Sequence, residues 1–334
     1  MPNAAEDCVE LQLIIQNCSM SSHLSRSNRF LVALLDSFSS QQTPDCASEA
    51  ADRESHGAKY SKEVDAARVT LYLCWRCLRM LDDSFQYFRH SEKCAAKKIP
   101  GNIIYIDRSF VVREVNGSKH PLFGMRLMIL EHLFFQLPLK EMGPKKLSFY
   151  TFYRLVDCDL CWEEGDSELD ETRIDELQIF IGFFTRSHRE SFKTTINSLL
   201  VFSHFRNRGY AKTMIDFSYK QFSEMKIAGR PERPFSRSGE FVFRSYWIDA
   251  ISRALDFLVL NRSEISVAMI EKLTSVHHLD QLETLKIIKD VEELKNSENK
   301  FDLERKAELE SWKNSNSLKE FHRINVNYFI KKNK

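Results

Sequence analysis

The chain has 334 residues, 43% of them apolar, and a formal net charge of +1. That length allows two to three domains and a substantial core, while the near-zero charge excludes a nucleic-acid binder working by bulk electrostatics alone. The longest apolar stretch, residues 127–135, is interrupted by Glu131 and His132 and is too short to span a bilayer.

The first residues, MPNAAEDC, are acidic and lack a signal-peptide pattern, and the eight cysteines suit a reducing compartment better than a disulfide framework. The chain is therefore expected to be soluble and intracellular. Residues 1–66 are rich in Ser, Asp, Glu, Ala and Gln and read as a largely disordered region, interrupted by one apolar patch at residues 30–35. That patch reads as a transient helix, with a partner-docking helix as the alternative.

Cys74, Cys77, His90 and Cys94 come next, in the spacing C-x2-C-x12-H-x3-C. Four soft or borderline ligands at these distances can close a tetrahedral zinc site, with the first pair on a tight knuckle and His90 and Cys94 one helical turn apart. With all four positions filled by protein, no site remains for a reacting water, so the zinc is expected to be structural.

Asn116-Gly117 is a hairpin signal between two strands, since Asn-Gly suits the positive-φ positions of a type I′ turn. Met128, Leu130, Leu133, Phe134 and Phe135 then mark an apolar helix with a polar stripe. The segments FYTFYRLV, IFIGFFTRS and TTINSLLVFSHF, built from aromatic and β-branched residues, read as strands. The acidic segment 163–176 between the first two reads as a solvated excursion. Cys158 and Cys161 form a second C-x2-C, which reads as incidental because it has too few companions for zinc. Ala211, Met214, Ile215, Ser218 and Phe222 recur at helical spacing, and two amphipathic helices are expected near VAMIEKLTSV and LETLKIIKDVEEL.

Five segments occur in one order: the C-x2-C…H-x3-C finger, PGNIIYI, EVNG, RNRGYA and the pair PERP…RSYW. This succession resembles the MYST family of lysine acetyltransferases from about residue 71 to about residue 288. The resemblance implies an α/β fold: a GNAT-type acetyltransferase core with a mixed sheet, flanked by an N-terminal C2HC zinc-finger module and a C-terminal winged-helix-like helical segment. The expected divisions are 1–66 disordered, 67–98 zinc finger, 99–260 acetyltransferase core with an acetyl-CoA cleft, and 261–334 a helical segment and charged tail.

The resemblance also implies roles for residues. Acetyl-CoA is expected along Leu199, Leu200 and Val201 and over the loop Arg206, Asn207, Arg208, Gly209, Tyr210, Ala211 and Lys212. There a helix N-terminus would draw the pyrophosphate through amide donors and dipole. Ser236 and Ser245 match two serines that help hold the cofactor. Glu232 matches the general base, needed because an amine attacks acetyl-CoA only when neutral. The family cysteine falls on Ser198, a poor nucleophile without an adjacent base, which closes any route through an acetyl-cysteine.

The lysine that becomes acetylated within the family domain falls on Pro138, with Lys140 out of register. Ser203 and His204 replace paired prolines, and little of W-Y-F-S-P survives in AKYSKEVDAARVT. The expected activity is acetyl transfer to a lysine ε-amine of histone tails, in a nuclear chromatin-modifying complex without sequence-specific nucleic-acid binding. The alternative is a catalytically weakened homologue acting as an acetyl-CoA-binding or complex scaffold.

Overall fold

The computed structural model describes residues 8–15, 18–25, 68–94, 99–107, 109–135, 147–157, 171–188, 193–263 and 265–295, together with 323, 324 and 329. The chain divides into two compact units, one formed by residues 1–100 and 120–144 and the other by residues 101–119 and 145–334. The apolar helix expected in the acetyltransferase core therefore groups with the finger, and the C-terminal helices group with the core.

In the first unit, β1 (Cys8–Ile15) pairs antiparallel with β2 (Cys18–Ser25) and parallel with β3 (Arg68–Leu73), which pairs in turn with β4 (Met80–Leu81). Residues 8–15 and 18–25 thus depart from the reading of 1–66 as largely disordered. Val9, Leu11 and Leu13 alternate with Glu10 and Gln12, the period of a half-buried strand, and Leu13 is fully buried in register with Leu71. Residues 30–35 lie outside the described residues. Among the described residues this unit also holds the helices α1 (Ser84–Lys93) and α2 (Pro121–Phe135). Pro121 opens α2, where a missing N–H costs nothing, and Phe123, Leu127, Leu130 and Leu133 form its buried face.

The second unit is built on β5 (Asn102–Ile106), β6 (Phe110–Asn116), β7 (Tyr150–Asp157), β8 (Ile179–Ser187) and β9 (Ser198–Val201). They lie in chain order, each antiparallel to the next. From β5 to β9 the mixed sheet expected for this core is an antiparallel meander, because each strand returns beside its predecessor; among the described residues, parallel pairing in this unit is confined to the isolated bridges Thr194–Arg230 and Gly229–Val276. β7 and β8 are buried along almost their whole length, and Tyr153 stacks on Phe184 with centroids 4.5 Å apart.

Asn116-Gly117 turns the chain without making a hairpin. The Asn116 side chain accepts from the amides of Ser118 (2.9 Å) and Lys119 (3.2 Å), and the chain continues to Pro121 and a helix. Neither residue has positive φ, as type I′ requires. Gly117 is needed for space instead: a Cβ there would stand 2.2 Å from the Leu147 carbonyl oxygen.

The acidic segment also departs from its reading as a solvated excursion. Residues 158–170, with Cys158 and Cys161, lie outside the described residues, but α3 (Glu171–Leu177) buries Ile174 and Asp175. Asp175 Oδ1 accepts from Arg113 Nη2 at 2.5 Å, and both side chains are almost wholly buried. An arginine inside β6 recruits this carboxylate because a buried charge must be paired.

Helices α4 (Tyr210–Glu224), α5 (Arg237–Leu260), α6 (Val267–Thr274) and α7 (His278–Lys295) complete the described elements. The buried positions of α4 include Met214, Ile215, Phe217, Ser218 and Phe222; Trp247 of α5 is fully buried and donates to the Tyr219 hydroxyl at 2.9 Å. Ile324 and Phe329 return to this unit: the Ile324 amide donates to Asp216 at 2.9 Å, and Phe329 packs 5.1 Å from Phe217. Among the described residues, no helix is long and apolar enough to cross a membrane.

Candidate functional site

The Cys74, Cys77, His90 and Cys94 ligand atoms all lie within 4.8 Å of one another. The knuckle is closed by backbone: Leu78, at φ 60°, donates to the Cys74 carbonyl (2.7 Å), and Cys74 donates to that of Arg79 (2.9 Å). Asp83 caps α1 by accepting from the Gln86 amide at 2.7 Å, which sets His90 in the last turn and Cys94 just beyond it. Arg126 Nη1 donates to the Cys77 carbonyl at 2.7 Å, a support from α2 that the finger spacing does not reveal.

These residues fit a zinc ion. Tetrahedral Zn–S bonds of about 2.3 Å place sulfurs about 3.8 Å apart, against 3.9 Å between the Cys74 and Cys94 sulfurs; Cys77 Sγ is 3.2 Å from His90 Nε2. The Cys74 thiol is lowered to about 4, chiefly by its hydrogen bond with Cys77, while that same contact and burial push Cys77 up. One thiolate is thus already favoured, and a cation would draw the others into that state.

In the second unit the expected acyl-transfer residues come from three places. Ser198, Leu199, Leu200 and Val201 are the whole of β9, pairing with residues 182–185 of β8. Leu200 is buried, and Ser198 Oγ lies 2.6 Å from Thr185 Oγ1. A short 3-10 turn at Ser203–Phe205 then leads to Arg206, Asn207 and Arg208, all exposed, and to Gly209. Gly209 is the N-cap of α4 in the left-handed region at φ 86°, which glycine adopts without penalty. Tyr210 packs edge-on against Phe110 with centroids 5.6 Å apart, and burial lowers the Lys212 ammonium below its usual range. No acidic residue stands in the first turn of α4, so Arg206, Arg208 and Lys212 and the positive helix end share one sign.

Glu232 lies on an exposed loop strung between backbones. Its amide donates to Ile196 O (2.8 Å), Thr195 donates to Arg230 O (2.8 Å), and Gly229 donates to Ser275 O (3.0 Å). Arg230 donates to Asp280 from Nη2 at 2.8 Å, and Arg233 donates to Glu283 at 2.8 Å, so α7 holds both residues flanking Pro231-Glu232. Glu232 Oε2 accepts from Asn197 Nδ2 at 2.5 Å.

Ser236 is the N-cap of α5, accepting from the Gly239 amide at 3.1 Å, and Ser245 is buried one-third of the way along that helix. Ser236 thus already has a structural partner, and a cofactor contact would have to share its hydroxyl. Pro138 and Lys140 lie outside the described residues. Sequence spacing gives no sign of Asn197 or Asp280, whose partners are 35 and 50 residues away.

These features define an α/β protein with a Cys3His metal cluster and an antiparallel core whose last strand feeds a glycine-capped helix. The MOZ/SAS family model matches residues 98–329, most of the chain, and the chain belongs to that family. It is 28% identical over 226 residues to "Histone acetyltransferase mst2" of Schizosaccharomyces pombe, covering 68% of this chain and 50% of that protein. It is 30% identical over 222 residues to the "Histone acetyltransferase Tip60 homolog" of Caenorhabditis elegans (64% and 43%). It is 28% identical over 217 residues to "Histone acetyltransferase of the MYST family 1" of Arabidopsis thaliana (65% and 44%). The chain spans about half the length of the curated relatives it matches.

Proposed function

We propose that this chain is a lysine acetyltransferase that moves the acetyl group of acetyl-CoA to a lysine ε-amine of histone tails by direct attack. The observation that carries this reading is the backbone hydrogen bond from Glu232 to Ile196. It registers a solvent-accessible carboxylate on the strand that continues, through Ser198 to Val201, into the glycine-capped helix. Family membership and the histone acetyltransferases among the relatives suggest the class of reaction.

In this reading the pyrophosphate of acetyl-CoA lies at the amides of residues 208–212, with Leu199, Leu200 and Val201 beside its pantetheine arm. The bound co-substrate supplies an activated thioester carbonyl. Glu232 takes a proton from the substrate ammonium, the neutral amine nitrogen bonds to the carbonyl carbon, the carbon–sulfur bond breaks, and the proton shed by that nitrogen goes to the sulfur, so that coenzyme A leaves as its thiol. Ser198 holds no acetyl group, since its partner Thr185 is a hydroxyl that cannot accept a proton near neutral pH. The zinc held by Cys74, Cys77, His90 and Cys94 is structural. A nuclear location, nucleosomal substrate and partner subunits of a chromatin complex accord with the relatives' names.

Incubating the protein with labelled acetyl-CoA and mixed core histones tests the reading. Label on histone lysines is the expected result. Acetyl-CoA binding without transfer to any histone would replace it with the scaffold reading.

A further inference from the structure

Asn197 stands immediately before β9 and joins three pieces of chain. Its amide donates to the Thr185 carbonyl at 2.8 Å, its Oδ1 accepts from the amide of Ser187 at the end of β8 at 2.6 Å, and its Nδ2 donates to Glu232 Oε2 at 2.5 Å. A backbone N–H can only donate, so the oxygen of the Asn197 carboxamide must face Ser187 and its nitrogen must face Glu232. The sheet thereby fixes which end of the carboxamide is aimed at the loop.

The arginines that flank Glu232 in sequence are paired elsewhere. Arg230 is turned onto Asp280, and Arg233 onto Asp280 and Glu283. Among the described residues, Asn197 is the hydrogen-bond donor to this otherwise exposed carboxylate. An exposed glutamate on a loop samples many rotamers, whereas a general base must stand within hydrogen-bond reach of the proton it takes.

We propose that Asn197 is a positioning residue: it holds Glu232 by one carboxylate oxygen and leaves the other to receive the substrate's proton. This rests on the reading of Glu232 as the general base. A role confined to satisfying the Ser187 amide makes a different prediction, because that role needs only an acceptor at Asn197. Asn197→Asp keeps the acceptor but replaces the donor facing Glu232 with a second carboxylate oxygen, setting like charges together.

The test compares initial rates of histone acetylation for wild type, Asn197→Asp, Asn197→Ala and Glu232→Gln, with folding checked by thermal melting. The proposal expects both Asn197 variants to lose about 10- to 100-fold in kcat, on the scale of a misplaced catalytic group, with the KM for acetyl-CoA within about twofold of wild type. A slow Glu232→Gln alongside an Asn197→Asp at wild-type rate would overturn the positioning role alone. Glu232→Gln at wild-type rate would remove the base reading and this role together. A second measurement needs no turnover: the side-chain amide resonance of Asn197, assigned by its disappearance in Asn197→Ala, should shift in Glu232→Ala. An unmoved resonance would overturn the contact itself.

Discussion

The amide of Glu232 donates to the carbonyl of Ile196 at 2.8 Å, two residues before Ser198 opens β9. The loop carrying the candidate base is thereby tied to the strand carrying the expected cofactor contacts. On its other side the loop is held by Asp280, which is fully buried and accepts from both Arg230 and Arg233. A catalytic carboxylate on a loop needs such external anchoring, since the loop has no ladder of its own.

The glycine cap of α4 gives the first prediction. Gly209 sits at φ 86°, where a glutamate would be strained and would also place negative charge beside the expected pyrophosphate. Gly209→Glu should lose acetyl-CoA binding by calorimetry. Gly209→Asn, which tolerates the left-handed region, should keep most of it. Unchanged affinity in Gly209→Glu would count against this placement of the cofactor.

The metal cluster gives the second. One zinc per chain is expected in native protein, lost on Cys77→Ser. Acid should also release it, because protons compete with the metal for the cysteine thiolates. Metal analysis and melting of the first unit report both effects. Native protein free of zinc, or Cys77→Ser melting as wild type, would contradict a structural zinc.

The pair Arg113 and Asp175 gives the third. Removing one partner of a buried ion pair strands the other charge, so Asp175→Ala should lower the unfolding free energy by about 3–5 kcal/mol. Adding Arg113→Met to that variant should recover much of the loss, since the stranded charge is then gone. Chemical denaturation measures both. A cost for Asp175→Ala near that of an exposed surface pair, below about 1 kcal/mol, would show the pair to be energetically idle.

Legibility from the residues alone divides by sequence distance. The four zinc ligands all fall between Cys74 and Cys94 and their spacing carries their geometry, so the cluster is legible. The strand, loop and helix around Gly209 are legible for the same reason. The acidic composition of the first 66 residues hides the short alternation at Val9, Leu11 and Leu13, which needs β3, far along the chain, to become a sheet. Asn116-Gly117 signals a turn without specifying the element after it; Pro121, a preferred first helical residue, is the better pointer. Asp175 looks like one more solvated acid until β6 places Arg113 beside it, 62 residues away in sequence.

The most direct test of the central claim is the steady-state rate of acetyl transfer to core histones by Glu232→Gln and Ser198→Ala beside wild type. Loss of a general base costs ~10²–10⁴-fold, so Glu232→Gln should fall by that factor and Ser198→Ala should stay within a few-fold of wild type. The initial-rate lines should also intersect, as direct attack in a ternary complex requires. A Glu232→Gln enzyme within tenfold of wild type, or parallel lines with acetyl trapped on Ser198, would contradict the account.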